Sequence, residues 1–143
     1  MAGLVQRTFW RLWNEKFFLS VVAANTAQFL GRLGFAIAGL DGGMDRFLDG
    51  PATFGTVATI QVMFFALGIA GVPATLGFAL RKEWGTLAVI LVSAATIAFD
   101  IWGFTLQPTA ALGFVVPAVS LAYVGITDRM SRSAPMRAPL ANS

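Results

Sequence analysis

Four long apolar segments dominate this sequence and restrict the folds that it can adopt. They run from about Phe17 to Leu40, Phe54 to Leu80, Thr86 to Leu106 and Thr109 to Ile126. Each is close to the roughly 20 residues that an α-helix needs to cross the hydrocarbon core of a bilayer. The sequence therefore predicts an all-α integral membrane protein in which residues 17–126 form one four-span domain.

The composition agrees with a membrane location. Hydrophobic residues make up 57% of the 143 residues, charged residues make up 12%, and the mean hydropathy is +0.73. Soluble domains carry about 25% charged residues, so this chain lacks the polar side chains to cover a water-exposed surface. Nine of the 10 lysines and arginines are spread over chain ends and loops, one lies within an apolar segment, and they form no dense basic face, which argues against a nucleic-acid partner.

Two residue types that dominate active sites are absent from the sequence. The chain contains no cysteine and no histidine, which removes thiolate nucleophiles, imidazole bases and the usual ligands of haem, zinc and copper. The remaining polar residues do not assemble a nucleophile, a base and an oxyanion stabiliser. We therefore expect a protein that is not an enzyme and that has no metal site and no cofactor.

Short connections between the apolar segments predict how the spans are arranged. The second connection is the stretch RKEWG at residues 81–85, and the third is the pair Gln107 and Pro108. Such short loops join antiparallel neighbours, so the sequence predicts an up-down-up-down four-helix bundle. Tryptophans agree with the predicted span ends, because Trp84 and Trp102 fall near water–lipid boundaries.

The distribution of charge predicts the orientation of the bundle. Basic residues outside the spans are concentrated before the first span, between the second and third, and after the fourth; they are Arg7, Arg11, Lys16, Arg81, Lys82, Arg129, Arg132 and Arg137. With four spans these regions lie on one side of the membrane. The positive-inside rule then predicts a prokaryotic inner-membrane protein with both termini in the cytoplasm.

The two ends of the chain have their own patterns. In residues 1–16 the apolar residues fall on one side of a helical wheel and the arginines on the other. This pattern predicts an amphipathic interfacial helix in the cytoplasmic headgroup layer; the alternative is an extension of the first span into the cytosol. The polar residues 127–143 are predicted to form a cytoplasmic tail.

Two opposite charges lie inside the predicted spans. Arg32 lies 15 residues into the first span and Asp100 lies 14 residues into the third, which corresponds to depths of roughly 22 Å and 21 Å from the cytoplasmic side. A lone charge in hydrocarbon costs roughly 2.5–3.5 kcal/mol. Equal depth and opposite sign therefore predict an ion pair that holds the two spans together.

Two alternatives to this ion pair remain at the level of the sequence. Arg32 can instead reach the outer headgroups by itself, since its long side chain allows the charge to leave the hydrocarbon. In the other alternative, Arg32 and Asp100 form a functional site for an anion or a proton inside a polar cleft.

Three further polar residues could belong to such a cleft. Asn25 and Gln28 lie in the first span, and Gln61 lies in the second. Because polar side chains in membranes usually face the interior of a bundle, these residues join Arg32 and Asp100 as candidates for an intramembrane polar site. Hydrogen bonding between helices is the more common role of such residues.

One stretch of the first span resembles a known family. The sequence GRLGFAIAGL at residues 31–40, together with the four-span layout, is similar to small DoxX-type membrane proteins, which also carry an arginine in the first span. The resemblance covers about one span of the four. It implies a quinone-linked membrane subunit.

Three functions are compatible with these features. The first is an accessory or assembly subunit of a larger membrane complex, whose partners are other membrane proteins or copies of itself. It is favoured because the extramembrane mass is small and small residues recur at four-residue spacing on the spans. The second is a small homo-oligomeric transporter or channel built around Arg32 and Asp100, and the third is the DoxX-like quinone-linked subunit.

Overall fold

The computed structural model describes the backbone of residues 2–132 and the side chains of residues 14–132. Over this range the chain is helical and contains no strand. The α-helices are α1 (Ala2–Ala38), α2 (Phe54–Ala79), α3 (Glu83–Phe104) and α4 (Val115–Arg132). Short 3₁₀ helices lie in two of the connections, at Gly43–Phe47 and Pro108–Phe114.

Four helical stretches are long and apolar enough to cross a membrane. They are Asn14–Ala38, Phe54–Ala79, Glu83–Phe104 and Pro108–Arg132. The predictions of an all-α fold and of four helices that can span a bilayer are therefore confirmed.

The distribution of side chains fits a surface that faces lipid. Large apolar residues such as Val62 and Leu91 are exposed, whereas Asn25, Ser93 and Ser120 are completely buried. A soluble domain shows the opposite tendency, because its polar side chains meet water and its apolar side chains form the core. Polar residues inside and apolar residues outside are what a hydrocarbon solvent favours.

The four helices pack as a ring in which α1 contacts α2, α2 contacts α3, α3 contacts α4 and α4 contacts α1. Near one end, Phe18 of α1 packs against Phe78 of α2 and Tyr123 of α4. Val89 of α3 belongs to the same cluster. The beginning of the first span and of α3 therefore lies at the same level as the last turn of α2 and the middle of α4.

Helices α2 and α3 approach closely because glycines line their contact. A Cβ atom at Gly85 would overlap the backbone of Gly77 and Phe78, and the ring of Trp84 covers Gly77. The backbones of the two helices touch at this point, which leaves no room for a side chain.

A three-residue turn, residues 80–82, joins α2 to α3. The backbone N–H of Lys82 donates to the carbonyl of Gly77, and that of Arg81 donates to the carbonyl of Phe78, both at 2.9 Å. This pair of hydrogen bonds is the Schellman arrangement that ends many helices. Arg81 has a left-handed backbone with φ of 55°, and its guanidinium carbon lies 4.5 Å from the centroid of the Phe18 ring.

The ends of the chain differ in part from the predicted boundaries. The residues predicted to form a separate interfacial helix are the first turns of α1, which continues to Ala38 without a break. The side chains of residues 1–13 lie outside the described part, so the location of this segment in the headgroup layer stays a prediction. Helix α4 continues to Arg132, and residues 133–143 of the predicted tail lie outside the described residues.

The fourth apolar segment is divided rather than continuous. A single helix from Thr109 was expected, but residues Pro108–Phe114 form a 3₁₀ helix and α4 begins at Val115. Pro117 then lies in the first turn of α4, where a missing N–H costs little because the first N–H groups of a helix have no intrahelical acceptor. This division brings the 108–114 segment over the charged residues of α1 and α3.

Candidate functional site

Arg32 and Asp100 form an ion pair between α1 and α3. The Nη2 atom of Arg32 donates to both carboxylate oxygens of Asp100, at 2.7 and 2.6 Å. The two side chains are only 7% and 5% exposed. The structure thus brings together the residues that equal depth had suggested as partners, and Arg32 does not extend separately toward the outer end of the bundle.

The pair lies close to the outer end of the predicted bundle. Arg32 precedes the end of α1 at Ala38 by six residues, and Asp100 precedes the end of α3 at Phe104 by four residues. These spacings correspond to roughly 9 Å and roughly 6 Å along the helix axes. The charges therefore lie near the ends at which α1 and α3 finish and not at the centre of these helices.

Aromatic rings cover the remaining side of the Arg32 guanidinium. Its carbon atom Cζ lies 5.1 Å from the centroid of the Phe64 ring and 5.9 Å from that of Phe99. Such distances give favourable cation–π interactions. Within the described residues, Nε and Nη1 of Arg32 have no hydrogen-bond partner, so the guanidinium keeps unused donors.

The 108–114 segment lies directly over the ion pair at Gly113. A Cβ atom at this glycine would come within 2.6 Å of Oδ2 of Asp100 and 3.0 Å of Nη2 of Arg32. Only a residue without a side chain leaves room for the backbone there. The carbonyl of Gly113 accepts a hydrogen bond of 2.5 Å from Nε2 of Gln28, which ties the segment to α1.

The other end of the same segment is tied to the loop between α1 and α2. The hydroxyl of Thr109 donates to Oδ2 of Asp49 at 2.6 Å. Neither Asp49 nor Thr109 was among the candidates from the sequence, because 60 residues separate them. Their contact becomes visible only when the 108–114 segment is placed.

A cavity of about 450 Å³ opens beside the ion pair. Its polar wall contains Arg32, Asp100 and Gln28, and the phenylalanines of its apolar wall are Phe35, Phe47, Phe64 and Phe99. The amide oxygen Oε1 of Gln28 is buried without a hydrogen-bond partner among the described residues. Cavities of about 300–1,000 Å³ with apolar walls and a few polar groups are typical of small-molecule sites.

Two of the predicted site residues lie elsewhere. Nδ2 of Asn25 donates to the hydroxyl of Ser120 at 2.7 Å and links α1 to α4. Nε2 of Gln61 donates to the carbonyl of Ala36 at 3.3 Å and links α2 to α1. Neither residue lines the cavity, so both have the helix-linking role that is the more common one for polar residues in membranes.

Two buried hydroxyls of α3 were missed at the level of the sequence. Ser93 and Thr96 are completely buried, and their hydroxyl oxygens have no hydrogen-bond partner within residues 14–132. They precede Asp100 by seven and four residues, which places all three on one face of the helix. This periodicity is the signal that could have identified α3 as having a polar inner face.

The site combines charged, amide and hydroxyl groups with an apolar wall. Its polar groups are the paired guanidinium and carboxylate, the amides of Gln28 and Gln107 and the hydroxyl of Thr109, and within the described residues no group of three potential metal ligands comes together. No protein family, curated protein or solved structure matches this chain. The function is therefore argued from the cavity and the residues around it.

Proposed function

We propose that this chain is a non-catalytic inner-membrane protein that binds a small amphiphilic molecule in the outer half of the bilayer. The observation that carries this proposal is the cavity beside Arg32 and Asp100. It combines aromatic walls with buried donors and a buried acceptor that no described residue uses. This combination is what ligand sites in proteins provide.

A purely structural ion pair explains only part of this arrangement. The contact between Arg32 and Asp100 accounts for the packing of α1 on α3. A structural pair is stabilised further when neighbouring groups satisfy its remaining hydrogen-bonding atoms and fill the space around it. Here the space is a cavity, and Oε1 of Gln28, a residue of its wall, is buried without a donor among the described residues, which supports a bound molecule.

We also propose the orientation of the protein, as an up-down-up-down bundle with cytoplasmic termini. Arg81 and Lys82 lie at the end of the bundle that contains the Phe18 cluster, while Asp45 and Asp49 lie at the end that contains the cavity. The positive-inside rule assigns the basic end to the cytoplasm. The cavity then opens toward the outer leaflet.

Cysteine labelling tests this orientation without background, because the natural sequence has no cysteine. Lys82→Cys and Asp45→Cys both change exposed residues. In intact cells an impermeant maleimide should label Asp45→Cys, whereas Lys82→Cys should react only after the membrane is permeabilised. The reverse pattern would contradict the proposed orientation.

Filling the cavity tests the proposed binding. Gly31 lines the cavity, and a Cβ atom there meets no atom within 4 Å, so Gly31→Leu places its side chain in the cavity without displacing the backbone. We expect this variant to lose at least about tenfold in affinity for a photoactivatable amphiphile, which is the loss of about 1.4 kcal/mol of binding free energy. Photolabelling in liposomes, followed by peptide mapping, measures it.

Gly34→Leu is the matched control for this substitution. Gly34 is on the same helix, is exposed and also has no atom within 4 Å of a Cβ position, but it does not line the cavity. This variant should label like the natural protein. Equal labelling of the Gly31→Leu and Gly34→Leu proteins would refute the binding function.

The roles suggested by the sequence remain compatible with such a site. An accessory subunit, a homo-oligomeric transporter and a quinone-linked subunit stay predictions. A subunit can hold a membrane-soluble molecule for a neighbouring chain, and a transporter needs a site of this kind along its path. Binding is the step that these roles share.

A further inference from the structure

The charges around the cavity distinguish between classes of ligand, if the proposed binding function holds. Both carboxylate oxygens of Asp100 lie within 2.7 Å of the Arg32 Nη2 atom. The positive charge is therefore already balanced at short range. An anionic ligand would be attracted by Arg32 and repelled by Asp100 at comparable distances, and it would also lose its hydration on leaving water. An uncharged ligand avoids both costs.

The polar atoms that lack partners define what an uncharged ligand must offer. Oε1 of Gln28 is an acceptor without a donor, whereas Nε and Nη1 of Arg32 are donors without an acceptor. The two residues are four positions apart on α1, so their side chains are neighbours on one face of the helix. A hydroxyl group both donates and accepts, and it is the smallest group that can serve both residues.

The position of the cavity suggests how such a molecule is arranged. Asp100 lies only roughly 6 Å from the outer end of α3, so a polar head at this depth remains near the outer headgroup layer. The large apolar side chains of the cavity wall are Ile60 and four phenylalanines, beside several glycines and alanines and the polar residues Gln107 and Thr109. The large apolar side chains suit an apolar chain or ring that continues into the hydrocarbon.

We infer that the cavity binds an uncharged amphiphile that presents a hydroxyl group to Gln28 and Arg32. The hydroxyl donates to Oε1 of Gln28 and accepts from the guanidinium. The Phe64 ring, which is partly exposed and covers the guanidinium, turns aside to admit it. The ion pair with Asp100 stays intact.

Three probes with one common alkenyl chain test this inference: oleyl alcohol, methyl oleate and oleate. The alcohol can donate and accept, the ester can only accept, and oleate is an anion when the assay pH is kept well above the pKa of a carboxylic acid in a bilayer, which desolvation raises. The full chain in phosphatidylcholine liposomes is labelled with a diazirine analogue of oleyl alcohol, and each unlabelled probe competes. We expect oleyl alcohol to compete at about tenfold lower concentration than methyl oleate, as one buried hydrogen bond allows, and oleate to be the weakest competitor.

The variant Gln28→Leu tests whether Gln28 causes the preference for oleyl alcohol over methyl oleate. It removes the unpartnered acceptor Oε1 together with the Nε2 donor to Gly113, and the affinity for oleyl alcohol should fall to that for methyl oleate, whose own affinity reports whether the cavity is kept. The affinity for methyl oleate should change less than about threefold, which shows that the cavity is still formed. Gln61→Leu is the matched control, since it removes the same kind of side chain outside the cavity, and it should leave the preference for the alcohol unchanged.

The outcomes separate this inference from the proposed function. If oleate competes as well as oleyl alcohol, or if the ester and the alcohol are equal, the inference is overturned while binding in the cavity stands. The inference is likewise overturned, while binding in the cavity stands, if the Gln28→Leu protein still prefers oleyl alcohol over methyl oleate. If Gly31→Leu does not reduce labelling by the diazirine analogue relative to Gly34→Leu, the proposed function itself fails.

Discussion

Replacement of Arg32 by methionine is expected to lower the free energy of unfolding by about 3–5 kcal/mol. The variant leaves the Asp100 carboxylate without its partner in a buried position, and breaking a buried ion pair from one side has this cost. The double variant Arg32→Met/Asp100→Leu should recover most of the loss, because it removes the uncompensated charge as well. Reversible unfolding in mixed detergent micelles, followed by circular dichroism, measures the natural protein, the single variants Arg32→Met and Asp100→Leu, and the double variant.

Arg132→Met is the control for this experiment. Arg132 also pairs with a carboxylate, that of Asp128 at 3.0 Å, but its side chain is 80% exposed. Exposed ion pairs one helical turn apart contribute at most about 0.5 kcal/mol, so this variant should unfold almost like the natural protein. Strictly additive losses from Arg32→Met and Asp100→Leu would show that the two residues do not stabilise the fold as a pair.

Of the substitutions that add one methyl group, we expect Gly85→Ala to lower the free energy of unfolding the most. Its Cβ atom would overlap backbone atoms of Gly77 and Phe78, which cannot rotate away as a flexible side chain could. Helices α2 and α3 must then separate, with a loss in the free energy of unfolding of about 3 kcal/mol, at the upper end of typical overpacking effects. The same micelle unfolding assay measures it.

Gly125→Ala is the matched control for the glycine substitution. Gly125 lies within α4, and a Cβ atom there meets no atom within 4 Å. Alanine favours the helix by about 0.5–1 kcal/mol over glycine, so this variant should be unchanged or slightly more stable. A Gly85→Ala protein as stable as the Gly125→Ala protein would mean that α2 and α3 do not pack as closely as described.

Much of the fold was predictable because hydrocarbon imposes simple rules on a sequence. A helix that crosses a bilayer must satisfy its own backbone and present about 20 apolar residues, so the number of helices follows from the apolar segments alone. The division of the fourth segment did not follow in this way. The 108–114 stretch is apolar like a span, and its 3₁₀ conformation depends on Pro108 and on contacts with Asp49 and Gln28 that are distant in sequence.

The candidate site was predictable to a similar extent. Depth along a helix follows from residue counting, which is why Arg32 and Asp100 could be matched. Rotation of a helix about its axis does not follow from counting, so Gln28 could not be separated from Asn25 and Gln61. The structure places Gln28 at the cavity and gives the other two residues partners on neighbouring helices.

The residue at the turn between α2 and α3 has a consequence for how this chain can vary. Glycine would adopt the left-handed backbone of Arg81 more easily, yet it would remove a cation from the side that the positive-inside rule assigns to the cytosol. The turn forms more easily with glycine at position 81, whereas the direction of membrane insertion favours a basic residue there. Substitution of Arg81 is therefore constrained by membrane insertion as well as by the stability of the folded protein.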